Sequence, residues 1–416
     1  MLKPFSILCH NTFFRFIFLR FIYRSRIVLC SLCVALSTLI IGCCGWNILE
    51  ERISNGHSQE HNEPASATAQ RIIHQSPPID LHADSLLWNR DLLQESDVGH
   101  ADIPRWQAAN FDTQVFSIVT EVPFGTSDRI YFGGSDIFNI HCFWNCWPSK
   151  TYSSRLQRAL LQIDKFDSFV ASSQGKLTKI TNKNEFIAHQ KTLQNKTHSL
   201  GGILSIEGAQ ALDSNLENLN ILASRGVRIL GLVHLINNNF AASSSGGNTD
   251  TGLSPLGEKL IRAAENSNIT LDLAHSSPKT IDEALLIAKK PFLVTHTGLK
   301  GVCPNVRNLS DTQAKAVVAK GGIIGIAFFK RAVCGNTVQD VAKSIVYATR
   351  LLGAQSVALG SDFDGSVSVP IRAPEIPVLA DALLQQGLTE AEIAMIFSKN
   401  VTRFFEQNLP ALEAHP

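Results

Sequence analysis

Residues 78–84, PIDLHAD, form a short apolar run that ends in two chemically active side chains, His82 and Asp84. A run of this length is typical of a buried β-strand, and residues two apart on a strand point to the same face of the sheet. The stretch therefore predicts a strand that presents an imidazole and a carboxylate together at its carboxyl end. Taken alone, it also fits an ordinary buried strand that runs into a loop.

Seven more apolar or β-branched runs follow along the chain, and longer segments with helical spacing separate them. Alternating strands and helices predict a parallel sheet, and eight such units suit an α/β fold of the (β/α)8 TIM-barrel type. The rival is an open doubly wound sheet, which usually carries a glycine-rich turn after its first strand; LHADSLLW, residues 81–88, carries none. The eight runs are residues 78–84, 111–120, 201–208, 227–234, 268–275, 291–298, 321–329 and 357–365.

Residues 1–46 differ in character from the rest of the chain. A basic, aromatic stretch without acidic residues precedes residues 27–46, which hold no charge over 20 residues and are long enough to span a bilayer as a helix. Arginines lie before this segment, and Glu50 and Glu51 lie after it. Because the positive side stays in the cytoplasm, the remainder of the chain is expected outside it. The sequence thus predicts an N-terminal hydrophobic signal or anchor segment.

The sequence allows two interpretations of this segment. One is an uncleaved membrane anchor. The other is a bacterial lipoprotein signal, because LIIGC, which ends at Cys43, resembles a lipoprotein cleavage motif. Either form places the protein in the cell envelope, on the periplasmic side of a bacterial membrane, with the membrane as a partner. Residues 47–76 are polar and predict a tether, and residues 77–416 predict the barrel domain.

The charges and the cysteines restrict the class of protein. Lysine and arginine number 37 against 36 acidic residues, so no attraction to nucleic acid is expected. Five of the nine cysteines belong to the N-terminal segment; the other four can pair in three ways, and disulfides persist outside the cytoplasm. One pairing is Cys303–Cys334 with Cys142–Cys146, where the second bridge would stiffen an insertion within residues 121–200.

Side chains of the kinds that bind metals recur at the ends of the predicted strands. The carboxyl ends of barrel strands are where enzymes of this fold build their sites. Any one of these residues is weak evidence, but imidazoles and carboxylates that converge without a cation are costly to desolvate. Neutral imidazoles and ionised carboxylates around Zn²⁺ resolve that cost, so the pattern predicts a metal site. The residues are His82, Asp84, Glu207, His234, His275, His296 and Asp362, with Asp364 two positions further.

These ligands are too many for one ion. Three or four protein ligands suffice for a catalytic zinc, and the set divides into two sites joined by a bridging carboxylate. Paired metals about 3.5–4 Å apart can hold a hydroxide between them and polarise a carbonyl. We therefore expect two Zn²⁺ per chain in a hydrolytic site.

The sequence resembles the membrane (renal-type) dipeptidases, which are zinc-dependent members of the amidohydrolase superfamily. The steps of 27 residues from Glu207 to His234, 21 from His275 to His296 and 11 from His296 to Arg307 fit that family. An N-terminal rather than a C-terminal membrane attachment is expected of a bacterial member. The resemblance covers about residues 78–408 and rests on DLHADSLL, HADIPR, LSIEGAQAL, VHLINN, LDLAHSS, VTHTGLKGVCPNVRNLSD and GSDFDG.

The resemblance implies a role for each candidate ligand. His82 and Asp84 would hold one zinc ion, His275 and His296 would hold the other, and Glu207 would bridge both. A hydroxide bridging the two ions would attack the peptide carbonyl of a dipeptide.

The resemblance also implies which residues handle the substrate. His234 would face the substrate carbonyl and steady the developing oxyanion. Arg307 would bind the terminal carboxylate with its planar guanidinium. Asp362 would take the proton from the bridging water and pass it to the leaving amine. Asp364 would either support the loop or serve only as a turn residue before Gly365.

Two further properties follow from the family. A cysteine lies seven residues after the second ligand histidine in its members, so Cys303–Cys334 is the preferred disulfide. Members often dimerise, so a homodimer is an expectation of the resemblance.

The function expected from the sequence is that of an extracytoplasmic dizinc dipeptidase. A relative that hydrolyses another amide or a lactam by the same attack is the alternative. A barrel that binds a ligand without catalysis is a remote one, because Glu207, His234 and Asp362 are all present. HCFWNCW, residues 141–147, has no counterpart that we can identify in the family and is expected to shape the substrate pocket.

Overall fold

The computed structural model describes the chain in five stretches. The predicted membrane segment, residues 27–46, and Cys43 lie outside them. Within them, no helix combines the length and the apolar character needed to cross a membrane. The described stretches are residues 49–59, 64–123, 136–194, 199–247 and 250–411.

The strands of the described residues are short and mostly buried. They are β1 Gly56–His57, β2 Ile79–Ala83, β3 Thr113–Val119, β4 Leu177–Lys179, β5 Leu200–Glu207, β6 Val227–Gly231, β7 Thr270–Asp272, β8 Leu293–Thr297, β9 Ile323–Ile326, β10 Val357–Leu359 and β11 Ser368–Val369.

Eight of these strands close into a parallel barrel. They pair in the order β3, β2, β10, β9, β8, β7, β6, β5, and β5 then pairs with β3 from Thr113↔Gly201 to Val119↔Glu207. Each of the eight corresponds to one of the apolar runs in the sequence, so the predicted barrel is confirmed. The remaining barrel neighbour, β4, pairs in parallel with the first residues of β5.

Helices fill the connections between barrel strands and pack against them. Many begin at a serine or threonine whose side chain accepts a backbone N–H, as Ser254 and Ser277 do. Thr389 and Glu392 form a capping box. The helices are Ala67–Gln75, Ile103–Ala108, Phe138–Trp144, Arg155–Ser172, Lys183–Gln194, Asn218–Ser224, Pro255–Asn266, Pro278–Ile287, Asp311–Ala319, Lys330–Val333, Val338–Leu352, Ile376–Gln385, Glu390–Ala394 and Asn400–Asn408, with a π-helical turn at Met395–Lys399.

A buried carboxylate joins the first and last strands of the barrel. The backbone register between β2 and β10 is the single pair Leu359↔Asp80. Asp80 also accepts hydrogen bonds from Ser361 N and Ser361 Oγ, each at 2.7 Å, and from Gln114 Nε2 at 2.9 Å. A buried carboxylate is stable only when its oxygens are satisfied in this way. The side-chain bonds therefore hold together the strand ends that carry His82 and Asp362.

Residues 49–59, which we call the N-terminal arm, are built into the barrel mouth. The strand β1 pairs in parallel with β11, and Glu51 lies buried with its Oε1 2.6 Å from Arg90 Nε. Further along, the helix Ala67–Gln75 buries Ile72 and Ile73 against the rest of the domain. In the described part of residues 47–76, where the sequence predicted a polar tether, the few apolar and charged side chains thus find partners far along the chain.

Residues 136–152, which we call the insertion, lie beside the barrel mouth. Arg158 fixes them from beneath: its guanidinium donates to Thr120 O at 2.7 Å and to Asp136 Oδ2 at 2.6 Å. The bridge between Cys142 and Cys146, which belonged to one of the pairings that the sequence left open, is absent, and both residues are free cysteines. Cys142 is buried in the helix Phe138–Trp144, whereas Cys146 is exposed beyond its end, so the two side chains point apart.

Candidate metal centre

Seven histidine and carboxylate side chains converge at the carboxyl-terminal mouth of the barrel. His82 lies in β2, Glu207 ends β5 and His296 lies in β8. The other four follow barrel strands directly, and all seven are buried. The predicted cluster is therefore assembled in space; its members are His82, Asp84, Glu207, His234, His275, His296 and Asp362.

Glu207 lies at the centre of this cluster. Its Oε1 is 3.0 Å from His275 Nε2, 3.5 Å from His296 Nε2 and 3.6 Å from His82 Nε2. Its Oε2 is 3.5 Å from His234 Nε2. One carboxylate thus reaches the imidazoles of four different strands or strand ends, which is the position that a bridging ligand must occupy.

The remaining carboxylates cluster around His82. Its Nε2 is 3.4 Å from Asp84 Oδ1 and 3.8 Å from Asp362 Oδ1. Donor atoms of three overlapping groups lie within 4.8 Å of one another, which is the spread of ligands around a single ion. These groups are His82 with Glu207 and His296, Glu207 with His234 and His275, and His82 with Asp84 and Asp362.

Several buried donor atoms at the centre have no hydrogen-bond partner. They are His82 Nε2, Asp84 Oδ1 and Glu207 Oε2. An unpaired buried polar atom costs about 1–3 kcal/mol, and more when it is charged. Three such atoms facing one another fit divalent cations, because a metal ion satisfies lone pairs of both imidazole and carboxylate at once.

Hydrogen bonds on the far side of the rings set their orientation. Thr295 Oγ1 donates to Asp272 Oδ2 at 2.5 Å and, in the tautomer that this network assigns, accepts from His296 Nδ1 at 3.0 Å. His234 Nδ1 donates in the same way to Glu121 O at 3.3 Å. In His296, Nε2 then carries a lone pair toward the centre, as a metal ligand requires, and in His234 Nε2 is directed at the cavity.

The pKa values of the cluster show conflicting demands. Burial lowers the pKa of His82, but the Asp84, Glu207 and Asp362 carboxylates outweigh burial and raise it to about 10. Burial, opposed in part by His82, raises the pKa of Asp362 to about 7. Burial also places the pKa of His275 well below its usual range. Carboxylates that resist ionisation beside rings that resist protonation are balanced by positive charge that is not a proton.

Two cluster residues adopt left-handed backbone conformations. His275 has φ +63° and Asp362 has φ +63°, a region that residues other than glycine enter at a cost of roughly 1–3 kcal/mol. Backbone bonds hold both: Ser244 N donates to His275 O at 2.7 Å, and Asp362 N donates to His82 O at 3.2 Å. These turns aim both side chains into the mouth immediately after their strands end.

Arg307 lies beside the cluster and is buried. Its Nη2 donates to His296 O at 2.8 Å. Burial lowers the pKa of Arg307 to about 10, so the guanidinium keeps its charge at neutral pH. The loop that carries it is closed by the disulfide Cys303–Cys334, the pairing that the family resemblance implies.

Asp364 does not face the cluster. Its carboxylate accepts from His100 N at 2.6 Å and from Arg90 and Ser85, and its carbonyl accepts from Trp88 Nε1 at 2.6 Å. Of the two predicted roles, support of the loop is the one that these bonds describe. His100 comes from HADIPR, so this motif supplies a supporting residue that the sequence did not assign.

A cavity of about 540 Å³ opens onto the cluster. Five side chains of the cluster and Arg307 line its base, and Leu87, Trp88 and Val119 line an apolar wall. The insertion contributes to the lining, which agrees with the expected role of this region in shaping the pocket. Pocket residues that the sequence did not single out are Glu50, Ser54, Leu87, Trp88, Val119, Val122, Ile137, Phe138, Ile140, Phe329 and Arg331.

The size of this cavity suits a small ligand. Pockets of about 300–1,000 Å³ hold small molecules in most proteins. The base of the pocket provides an anionic cluster that would hold cations together with one fixed guanidinium. The site can therefore bind a short molecule with a free carboxylate and hold one of its carbonyls at the metal-binding residues.

Comparison with known proteins gives one family. A family model described as membrane dipeptidase (peptidase family M19) matches residues 66–413. An uncharacterized dipeptidase of Schizosaccharomyces pombe is 26% identical over 338 residues, which cover 74% of this chain and 79% of that protein.

Solved structures with the same barrel include two bacterial proteins. One is a metallopeptidase of Rhodobacter sphaeroides that carries a phosphinate mimic of the dipeptide L-Ala-D-Ala; it has a TM-score of 0.67 and 22% identity, over 80% of this chain and 99% of that chain. The other is a probable dipeptidase of Pseudomonas aeruginosa, with a TM-score of 0.68 and 16% identity, over 82% of this chain and 97% of that chain. At these identities the likeness concerns the fold.

Proposed function

The chain belongs to the membrane dipeptidase family, peptidase family M19, and from this premise we propose that it is a dizinc dipeptidase that works outside the cytoplasm. The family makes it a hydrolase that acts on dipeptides. The number and identity of the metal ions, the ligand assignments and the location are the parts that we add.

We assign His82 and Asp84 to one zinc ion, His275 and His296 to the other, and Glu207 to both. When bound, two zinc ions supply Lewis acidity toward the scissile carbonyl and make a water nucleophilic near neutral pH. The support for this assignment is the position of Glu207, whose Oε1 lies within 3.6 Å of three imidazole Nε2 atoms. This is the observation that carries the proposal.

His234 and Arg307 orient the substrate. The hydrogen bond from His234 Nδ1 to Glu121 O leaves Nε2 facing the cavity. Nε2 stabilises negative charge on the carbonyl oxygen in the transition state only when it also carries a proton, so His234 would act there as an imidazolium. Arg307 points into the same cavity with its charge retained, and a planar guanidinium pairs with a carboxylate through two hydrogen bonds. A dipeptide places its terminal carboxylate one residue from the scissile bond, which makes Arg307 a selector for short substrates.

Asp362 moves the proton. Its carboxylate would accept a proton from the attacking water and release it to the departing amine. Its left-handed backbone turns the carboxylate toward the cluster, and Oδ1 lies 3.8 Å from His82 Nε2.

The test is a metal-replete assay on a panel of dipeptides with free and amidated carboxyl ends. Both configurations of the carboxyl-terminal residue belong in the panel, because a structural neighbour carries a mimic of L-Ala-D-Ala. Free dipeptides should be cleaved, and their amides should be cleaved at least 100-fold less efficiently, the loss expected when a buried charged partner stays unpaired. Equal cleavage of both forms would overturn the role of Arg307, and turnover of lactams alone would favour the related amidohydrolase activity.

Location outside the cytoplasm is supported by two features. The charge pattern around residues 27–46 orients the chain outward, and Cys303–Cys334 is a disulfide of the kind that persists in oxidising compartments. Protease digestion of intact spheroplasts that express the full chain should degrade the barrel, and protection from digestion would contradict this location. Incorporation of labelled palmitate that is lost in Cys43→Ser distinguishes a lipoprotein from an uncleaved anchor.

The homodimer stays a prediction of the family resemblance. Sedimentation velocity of the detergent-solubilised full chain measures it directly, and a single species with the mass of one chain would contradict it.

A further inference from the structure

A second arginine, Arg331, lines the substrate cavity together with Arg307. It lies on the short helix Lys330–Val333, which follows β9 and the pocket residue Phe329. The proposed mechanism gives Arg331 no role. A cavity that already holds one buried guanidinium gains a second positive charge from this helix.

The two arginines are held in a fixed relation by a single side chain. Asn305 Oδ1 accepts from Arg307 N at 2.9 Å, while Asn305 Nδ2 donates to Arg331 O at 2.7 Å. Asn308 adds a bond from its Nδ2 to Ala332 O at 2.9 Å. The Arg307 loop and the Arg331 helix therefore behave as one unit at the edge of the pocket.

The disulfide Cys303–Cys334 locks the same two segments together. Cys303 lies at the start of the loop that carries Arg307, and Cys334 ends the helix that carries Arg331. The charge of Arg331 also contributes to lowering the pKa of Arg307, after burial, which is consistent with the closeness of the two groups. Because the two backbone segments are fixed relative to each other, less ordering is needed to bring two cations to one substrate.

We propose that Arg331 binds a second carboxylate of the substrate, the side chain of an acidic residue at the carboxyl-terminal position. The enzyme would then prefer dipeptides that end in aspartate or glutamate. This inference rests on the proposed function, in which Arg307 binds the terminal carboxylate. The residue that carries that carboxylate is the one held against the Arg307–Asn305–Arg331 unit, so its own side chain is the part of the substrate within reach of Arg331.

The other wall of the cavity suits the amino-terminal residue. Leu87, Trp88, Val119 and Phe138 present apolar surface there. Charged carboxyl-terminal and apolar amino-terminal side chains would thus find different partners in one pocket. The rival arrangement has both arginines on the single terminal carboxylate, and it predicts no preference for an acidic side chain.

The experiment compares isosteric substrates on the metal-loaded full chain. Ala-Asp is paired with Ala-Asn and Ala-Glu with Ala-Gln, each with the second residue in L and D configuration, so that charge changes while shape does not. The wild-type kcat/KM should favour the acidic member of at least one pair by about 10- to 100-fold, the range of a charge-assisted hydrogen bond. A ratio near one in every pair would overturn the proposal.

Substitutions test whether Arg331 is the residue that produces the preference for an acidic side chain. Arg331→Met, which keeps the length of the side chain but loses its charge, should bring the ratio of acid to amide close to one. Lys330→Ala is the matched control, because Lys330 is an exposed cation on the same helix and does not line the cavity. Loss of the ratio in Lys330→Ala would show a general effect of positive charge and would overturn the assignment to Arg331.

A charge reversal keeps the proposal testable if Arg331→Met folds poorly. Arg331→Glu should favour Ala-Lys over Ala-Gln, the reverse of the wild-type preference, and retention of the acidic preference in this variant would overturn the proposal. Failure of the acidic preference can be distinguished from failure of the proposed dipeptidase function. Efficient cleavage of Ala-Ala, Ala-Asn and Ala-Asp alike removes the acidic preference and leaves the dipeptidase intact, whereas cleavage of no dipeptide removes the proposed function itself.

Discussion

His234 and His296 are each oriented by a bond that the ring makes on the side away from the cluster. Thr295 lies between Asp272 and His296, so a residue that touches no substrate decides which nitrogen of His296 faces inward. His234 depends in the same way on the backbone carbonyl of Glu121. At this scale the chemistry of the site is set by pairs of residues, one that acts and one that fixes its tautomer.

Loss of one ligand should remove one ion and leave the fold. His82→Ala deletes an imidazole whose Nε2 faces three carboxylates and has no hydrogen-bond partner among the described residues. We expect the zinc content to fall from about two to about one per chain, with activity lost and the circular dichroism spectrum kept. Metal analysis of the purified variant measures this. His74→Ala, an exposed histidine of the helix Ala67–Gln75, is the control; full metal occupancy in His82→Ala would remove it from the ligand set.

The orienting hydroxyl of Thr295 should matter to metal affinity although it binds no metal. Thr295→Val keeps the shape of the side chain but deletes the donor to Asp272 and the acceptor for His296. Zinc affinity should fall about 10- to 100-fold, measured by competition with a chelator of known affinity. Thr349→Val serves as the control, since Thr349 Oγ1 is buried without a partner in the helix Val338–Leu352. Equal zinc affinities in the two variants would contradict an orienting role for Thr295.

Among the elements, the loop after β10 and the N-terminal arm form one structure. Asp364 binds Arg90, Arg90 binds Glu51 of the arm, and β1 of the arm pairs with β11 just beyond the loop. His100 closes the arrangement, accepting from Asp364 N at 2.9 Å and bonding to Gly56 O at 2.9 Å. The turn that aims Asp362 at the metals is therefore held by residues from both ends of the domain.

This loop should make stability depend on pH through His100. Burial lowers the pKa of His100 from 6.5 to about 4. The unfolded chain then binds the proton more readily between these values, so stability is fully present above about pH 6.5 and is lost as the pH falls toward 4. The contribution is ~3 kcal/mol. Urea unfolding from pH 7 to pH 4 should show a shallower loss in His100→Gln than in the wild type. Parallel curves would mean that His100 is not the titrating group, and His74→Ala should match the wild type.

The elements that the sequence predicted are those with local signals. Each barrel strand is a short apolar run between helix-start and helix-end residues. The candidate ligands lie at the carboxyl ends of these runs, so residues such as Glu207 and His296 could be predicted from the sequence pattern. The N-terminal arm could not be predicted in this way, because Glu51 and Gly56 bond to residues far along the chain. The polar sequence around them resembles a tether. The left-handed turn at His275 and the free thiol of Cys142 also depend on tertiary packing, which spacing alone does not encode.

At the scale of the whole molecule, the metal ions should contribute to stability because their proposed ligands come from four strands or strand ends of the barrel. Zinc that binds only the folded chain stabilises it by about 4 kcal/mol at a free concentration of 1,000 times Kd. Removal of the ions with a chelator should lower the melting temperature, and zinc should restore it. A melting temperature that does not respond to zinc would contradict a centre shared between strands; calcium, which prefers more oxygen ligands, is the control ion.

The bond between Asp80 and Ser361 joins the first barrel strand to the last. The barrel can therefore close only late in the synthesis of the chain. During synthesis His82 emerges near the beginning of the domain, whereas Asp362 follows some 280 residues later. Until the ribosome has released β10, the earlier ligands have no completed mouth to enter. A chain truncated before β10 therefore lacks both the closing strand of the barrel and Asp362.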